Sequence, residues 1–145
     1  MNHETLAAYM TTLYRIHTQP AIDVCIGETN AAVAALLALH RVESAVFVTA
    51  FNPLSRRLSD EQNAARQHKL AEYLDGLKLA TIEGAGIDPT GAWPAETSLL
   101  ALGATSAKAD DLMREFEQNA VVVIDRKGTV RLLLHPQLRD TPSPG

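Results

Sequence analysis

Ala45-Val46-Phe47-Val48-Thr49-Ala50, followed directly by Phe51-Asn52-Pro53, is the stretch on which the fold turns. It carries no charge, and four of its first six residues are β-branched or aromatic. Such a run reads as a central strand covered on both faces, because a half-exposed strand would alternate with polar residues. Pro53 ends it, removing a ladder donor and biasing Asn52 away from helix.

Just downstream, Ser59 and Gln62 have the spacing of a capping box, with Asp60 and Glu61 at the positive end of the helix dipole. Leu70, Tyr73, Leu74 and Leu77 continue it as an apolar stripe, and Gly76 marks its end. Upstream, Ile22, Val24 and Ile26 alternate as a half-buried strand. Thr29 or Asn30 caps a helix over Ala31–His40, and Leu6, Tyr9, Met10 and Leu13 predict a first helix over Glu4–Tyr14. Further along come a strand over Leu77–Glu83, a glycine- and proline-rich loop from Gly84 to Pro94, and a strand over Thr97–Leu102. A helix over Ala107–Glu117 follows. Strands over Ala120–Ile124 and Val130–Leu134 close the chain as a hairpin around Asp125-Arg126-Lys127-Gly128.

The order α-β-α-β-α-β-β-α-β-β predicts an α/β (α+β) fold: a mixed β-sheet with packed helices and a C-terminal β-hairpin. Residues 1–136 read as one domain and residues 137–145, with three prolines among residues 136–145, as a loose tail. A chain of 145 residues can bury a core without staples. Cys25 stands alone, so there is no internal disulfide and no cysteine zinc site. Its apolar alternation predicts a buried, inert thiol. The net charge of −4, from 13 basic and 17 acidic residues, argues against a nucleic-acid partner. Arg56-Arg57 and Arg126-Lys127 read as solvated turn charges. No apolar run is long enough to span a bilayer, and the amphipathic N-terminus is unlike a signal peptide; a cytoplasmic protein is expected.

Polar chemistry concentrates in Thr49–Arg66 and Glu83–Ser98. On a helical wheel with Leu70 at zero, Leu74 and Leu77 fall at about +40° and −20°, and Asn63 and Arg66 at about +20° and −40°. The core stripe thus turns polar in the first two turns of that helix. Burying an unpaired amide costs about 1–3 kcal/mol, so these groups must find partners or face a cavity. The second stretch gathers Glu83, Asp88 and Glu96 with Trp93, the single tryptophan, around a glycine-containing loop of the kind that often carries binding groups. Two such carboxylates can divide acid and base roles when burial separates their pKa values.

Other chemistries lack their marks. Gly84, Gly86 and Gly91 lack the dinucleotide fingerprint, and a proline turn follows in place of a helix. No P-loop lysine and no Gly-x-Ser-x-Gly elbow is present. His3, His17, His40, His68 and His135 are scattered, so no metal and no cofactor are implied. Gln118-Asn119 reads as the cap of the helix before it.

Taken together, Thr49-Ala50-Phe51-Asn52-Pro53, Asn63 to Leu70, Gly86-Ile87-Asp88-Pro89-x-Gly91-x-Trp93-x-x-Glu96-x-Ser98 and Phe116-x-Gln118-Asn119-Ala120-Val121-Val122 resemble a bacterial family of uncharacterised proteins, domain of unknown function 3293. The resemblance runs from about Tyr14 to Leu134. It departs from the family pattern at Phe51 (usually tryptophan), Gln62 (usually glutamate), Leu99 (usually phenylalanine) and Glu117 (usually glycine). It carries over no activity, but implies that these polar positions form one recurring set.

Two readings follow. In the first, a small molecule, anionic if Arg66 meets it, binds at the carboxyl end of the Ala45–Ala50 strand. Asn52, Asn63, Arg66, Asp88 and Trp93 are then the ligand-binding candidates and Glu96 the catalytic candidate, as general acid or base. In the second, the polar residues are a structural network pinning the Asn52–Ser55 loop of an interaction domain that forms a homodimer through a sheet edge.

Overall fold

A computed structural model describes residues 2–139. It contains α1 (His3–Thr11), β1 (Leu13–Ile16), β2 (Ile22–Val24), α2 (Ala31–Leu39), β3 (Ser44–Val48), α3 (Asp60–Gly76), β4 (Thr81–Ile87), β5 (Glu96–Leu102), α4 (Ser106–Glu115), β6 (Ala120–Asp125), β7 (Val130–Leu134) and α5 (Pro136–Arg139). The chain is an α+β protein with helices packed on a sheet and a C-terminal hairpin, as its pattern predicts.

The seven strands lie in the order β2-β1-β4-β5-β3-β6-β7. Every pairing is antiparallel, so the sheet is not mixed. The alternation of strands and helices is real, but its consequence differs. Helix α3 connects β3 to β4, which run in one direction with β5 between them; α4 connects β5 to β6 with β3 between them. The unit β3-α3-β4-β5-α4-β6 is therefore two interlocked split β-α-β crossovers, and each gap is filled by an oppositely directed strand. Strand β3 takes the central, doubly covered place expected of its apolar run: Ala45, Val46, Phe47 and Val48 are all buried.

On one face α3 and α4 press Leu70, Leu74, Leu112 and Met113 onto Val46, Val48, Leu99, Ala101, Val121 and Val123. Each fully buried leucine there contributes about 1.5–3 kcal/mol. On the other face α2 sets Val33, Leu36 and Leu37 against Ala45, Phe47, Leu100, Leu102, Val122 and Ile124. The caps are those expected: Asn30 for α2, and the Ser59/Gln62 box for α3. Gly128, at φ 85°, takes the left-handed place in the β6–β7 connection.

Four local expectations change. The first helix stops at Thr11, and Leu13–Ile16 forms an additional strand with the burial alternation of a half-covered one. Thr12 terminates the helix, its hydroxyl donating back to Ala8 O, and its β-branch resists a further turn. The strand expected over Leu77–Glu83 begins later, at Thr81, because Leu77 caps α3. It also runs on through Gly84, Ala85 and Gly86, which were expected in the loop. Glycine is required in this strand: a Cβ on Gly84 would lie 2.4 Å from Arg15 O and 2.8 Å from the Phe47 ring. Cys25 is only half-buried, and burial pushes its thiol up, away from the reactive thiolate. Pro136–Arg139 form a helical turn in which Arg139 meets Asp110 at 2.7 Å; the rest of the expected tail, from residue 140, lies outside the described residues.

Candidate functional site

Where α2 ends its cover, the same face of the sheet is open. Gly86 without a side chain, and Ser98 and Ala120 with small ones, lie beside Phe47, Thr49 and Val122, and α1 bridges the gap above them. No residue of α1 is fully buried, and only Thr5 and Tyr9 are half-buried, so the helix roofs the space without filling it. The result is a cleft of about 360 Å³, lined on the roof by Glu4, Thr5, Ala8, Tyr9 and Thr12, with Tyr14, Ser55, Trp93, Glu96 and Gln118 completing it. Its volume is in the range of small-molecule sites. It lies at the carboxyl end of β3.

Glu96, the first residue of β5, is its most distinctive group. Burial raises the pKa of its carboxyl, and a 3.2 Å hydrogen bond from Asn52 Nδ2 partly offsets this. Tyr9 is raised to about 12, first by burial and then by the Glu96 charge. Tyr14, raised mainly by burial, donates its hydroxyl to Tyr9 O at 3.0 Å and so ties β1 to the roof. Its ring meets Phe47 edge-on at 5.4 Å.

Asn52 is positioned by backbone geometry that suits asparagine, a left-handed φ of 47°. Its amide N–H donates to Asn63 Oδ1 and its Oδ1 accepts from Asn63 Nδ2, both at 2.9 Å; Leu58 N donates to the same Oδ1 at 3.0 Å. Asn63 is 4% exposed and sits where the wheel places it, on the buried stripe of α3. Its amide is satisfied by this reciprocal pair and does not reach the cleft. Leu54 and Ser55 are also left-handed, at φ 51° and 65°, so the loop beside Glu96 stores backbone strain.

Arg66 emerges on the other face. Nε donates to Ala50 O at 2.7 Å, Nη2 donates to Phe116 O, and Nη1 lies 3.6 Å from Glu117. The guanidinium thus pins the end of β3 to the end of α4. Asp88 is likewise engaged locally, accepting from Thr90 N, Thr90 Oγ1 and Ala92 N at 2.8–2.9 Å, which holds its carboxyl below the usual range and shapes the loop that carries Trp93. Of the six candidate residues, Trp93 and Glu96 line the cleft and Asn52 touches Glu96. Asn63, Arg66 and Asp88 hold loops around it.

Tyr9, Tyr14 and Gln118 belong to the cleft, whereas the sequence pattern gives Tyr9 a packing position on the first helix, Tyr14 the end of that helix and Gln118 a helix cap. Gln118 does serve the end of α4, its Nε2 donating to Phe116 O at 3.2 Å, and it also reaches Phe51 O at 3.0 Å. The alternation Leu13-Tyr14-Arg15-Ile16 was the visible signal of β1. Nothing in the spacing shows that α1 folds over β5. Among the described residues, no three histidine, cysteine, aspartate or glutamate side chains gather to hold a metal ion, and no helix is long and apolar enough to cross a membrane.

No curated protein and no solved structure matches the chain. A family does. The match covers residues 48–121, just over half of the chain and narrower than the resemblance read along the sequence. It begins in β3 and ends in β6, inside the interlocked crossover unit, and it includes Asn52, Asn63, Trp93 and Glu96 but none of α1. On that match, the chain belongs to the family described as protein of unknown function (DUF3293).

Proposed function

We propose that the cleft beneath α1 binds a small molecule, with Glu96 meeting its polar end and Trp93 forming part of the wall. The observation that carries this reading is a buried-side carboxylate with one hydrogen bond, facing a cavity of about 360 Å³ lined by aromatic residues. A structural carboxylate in such a place would ordinarily gather more donors, because desolvation without compensation is costly. Asn52 acts as the positioning residue for Glu96. Asn63 and Arg66 stabilise the loop that presents Asn52, and Asp88 stabilises the loop that presents Trp93. A carboxyl with a raised pKa keeps its proton to higher pH than a free one, which is the property a general acid or base needs.

The test is thermal shift against a metabolite library with the wild-type chain and Glu96→Gln. At least one compound should raise the wild-type melting temperature by several degrees and lose most of that effect in the variant. A library without any stabilising compound would remove the support for this reading. The lone cysteine and the net negative charge fit a bacterial cytoplasmic setting and a partner other than nucleic acid.

A second reading is favoured by the reciprocal Asn52–Asn63 pair: the polar residues serve as a structural network in an interaction domain. Strands β2 and β7, the two edges of the sheet, would then pair with a second copy. Light scattering at tens of micromolar separates the readings, since edge pairing requires a dimer there.

A further inference from the structure

The polar groups of the cleft carry charge of one sign only. Thr12 Oγ1 donates to Ala8 O, Tyr14 Oη to Tyr9 O, Thr49 Oγ1 to Thr97 O and Ser98 Oγ to Glu96 O. Four hydroxyl protons are thereby engaged by the main chain. Gln118 is held the same way: both of its hydrogen bonds run from Nε2 to carbonyls, so its Oε1 is left without a partner among the described residues. Glu96 uses one oxygen for Asn52 and keeps the other free. Glu4 brings a second carboxylate on the roof, and among the described residues no lysine, arginine or histidine lines the space. The free donors that remain, on Thr5, Tyr9, Ser55 and Trp93, are all neutral.

We propose that the cleft takes an organic cation: a small amine, protonated at neutral pH, whose ammonium meets Glu96 and whose apolar body lies among Tyr9, Tyr14, Phe47 and Trp93. This rests on the reading of the cleft as a ligand site and names the ligand's charge class. An anion would place like charge beside Glu96 and Glu4 without a basic group to receive it. A neutral molecule would use the aromatic wall but leave the carboxylate desolvated and without a counterion. An ammonium satisfies both, as an ion pair with Glu96 and through its attraction to electron-rich rings. It also reverses the effect of burial on Glu96. Among the described residues, Tyr9 from α1 and Tyr14 from β1 interact with that carboxyl, and Glu4 from α1 lines the same cleft.

Three probes share a phenyl body and differ in charge: phenethylamine, 2-phenylethanol and 3-phenylpropionate. Each is titrated into the full chain while the indole N–H resonance of Trp93, unique because the chain has one tryptophan, is followed by NMR. Phenethylamine should bind at least tenfold more tightly than 2-phenylethanol, and 3-phenylpropionate more weakly than both. In Glu96→Gln the preference for the amine over the alcohol should vanish. In the wild type the affinity for phenethylamine should fall between pH 7 and pH 4 while that for 2-phenylethanol stays constant, and this pH dependence should be largely lost in Glu96→Gln, which separates Glu96 from Glu4. A preference below tenfold, or an amine affinity independent of pH, overturns the assignment of charge and leaves the cleft as a ligand site. No movement of the Trp93 resonance with any probe at millimolar concentration overturns both.

Discussion

On one face of the sheet, α3 and α4 bury Leu70, Leu74, Ala109, Leu112 and Met113 against the strands; on the other, α1 crosses Glu96 and Ser98 without burying a single residue of its own. The first face is closed by side-chain volume. The second is closed by α2 over half its extent and merely roofed over the rest. The difference follows from composition. Large aliphatic residues face α3 and α4, whereas Gly86, Ser98 and Ala120 face α1 and leave room beneath it. The core under α3 and α4 and the candidate site therefore lie on opposite sides of one sheet, joined by the loop from Asn52 to Ser55.

The contrast can be broken most forcefully on the closed face. Leu74→Ala should cost about 2–5 kcal/mol, read by urea unfolding, because a fully buried side chain leaves a cavity that packed neighbours cannot collapse into. A loss under 1 kcal/mol would mean that this face is not the stabilising one. The open face is tested by hydrogen exchange. A nine-residue helix without buried residues is marginal by itself, so amides of α1 should exchange at least about 100-fold faster than those in the middle of α3. Comparable protection would show that α1 is fixed by more than its own contacts.

The loop between the faces gives smaller effects. Asn63→Ala should cost about 1–3 kcal/mol in a thermal melt, since Asn52 N loses its partner and Asn52 Oδ1 keeps only Leu58 N of its two donors. A neutral result would mean that Asn52 is held by Leu58 alone. Leu54→Gly should stabilise by up to about 1 kcal/mol, because the side chain is exposed and its φ of 51° is left-handed. A loss of stability would place Leu54 in a contact that its exposure does not suggest.

The smallest effect is also the most specific. Burial raises the Glu96 pKa, so between the ordinary carboxylate value and the raised one the folded chain binds more protons than the unfolded chain. Its contribution therefore favours the folded state least above the raised pKa and is lost as pH rises through that window. Glu96→Gln retains an acceptor for Asn52 and removes this penalty. The variant should melt higher than the wild type at pH 7 and coincide with it near pH 3. A variant that melts lower at pH 7 would show that Glu96 is a stabilising network member.

Much of this was legible in the residues. The Ser59/Gln62 box, the Asn30 cap, the central apolar strand and the final hairpin each depend on neighbours a few positions away. The wheel placed Asn63 on a buried stripe, but could not say that its partner is Asn52. Glu117 occupies a left-handed position after α4, at φ 54°, where a glycine would sit without strain, so this position is a matter of helix termination. Arg66 and Asp88 were legible as polar groups needing partners, yet their partners are a carbonyl of α4's end and the amides of a turn.

By itself the sequence determined the periodicities, the caps and breaks, and the requirement that particular polar groups be satisfied, since each arises from short-range backbone and side-chain chemistry. Only the tertiary structure decided that β5 and β3 enter each other's crossovers, that Gly84 and Gly86 lie within a strand, and that α1 closes over Glu96. These depend on pairings between residues far apart in the chain, such as Gly86 with Tyr14 and with Glu96, and no local pattern encodes which distant partner fills a given space.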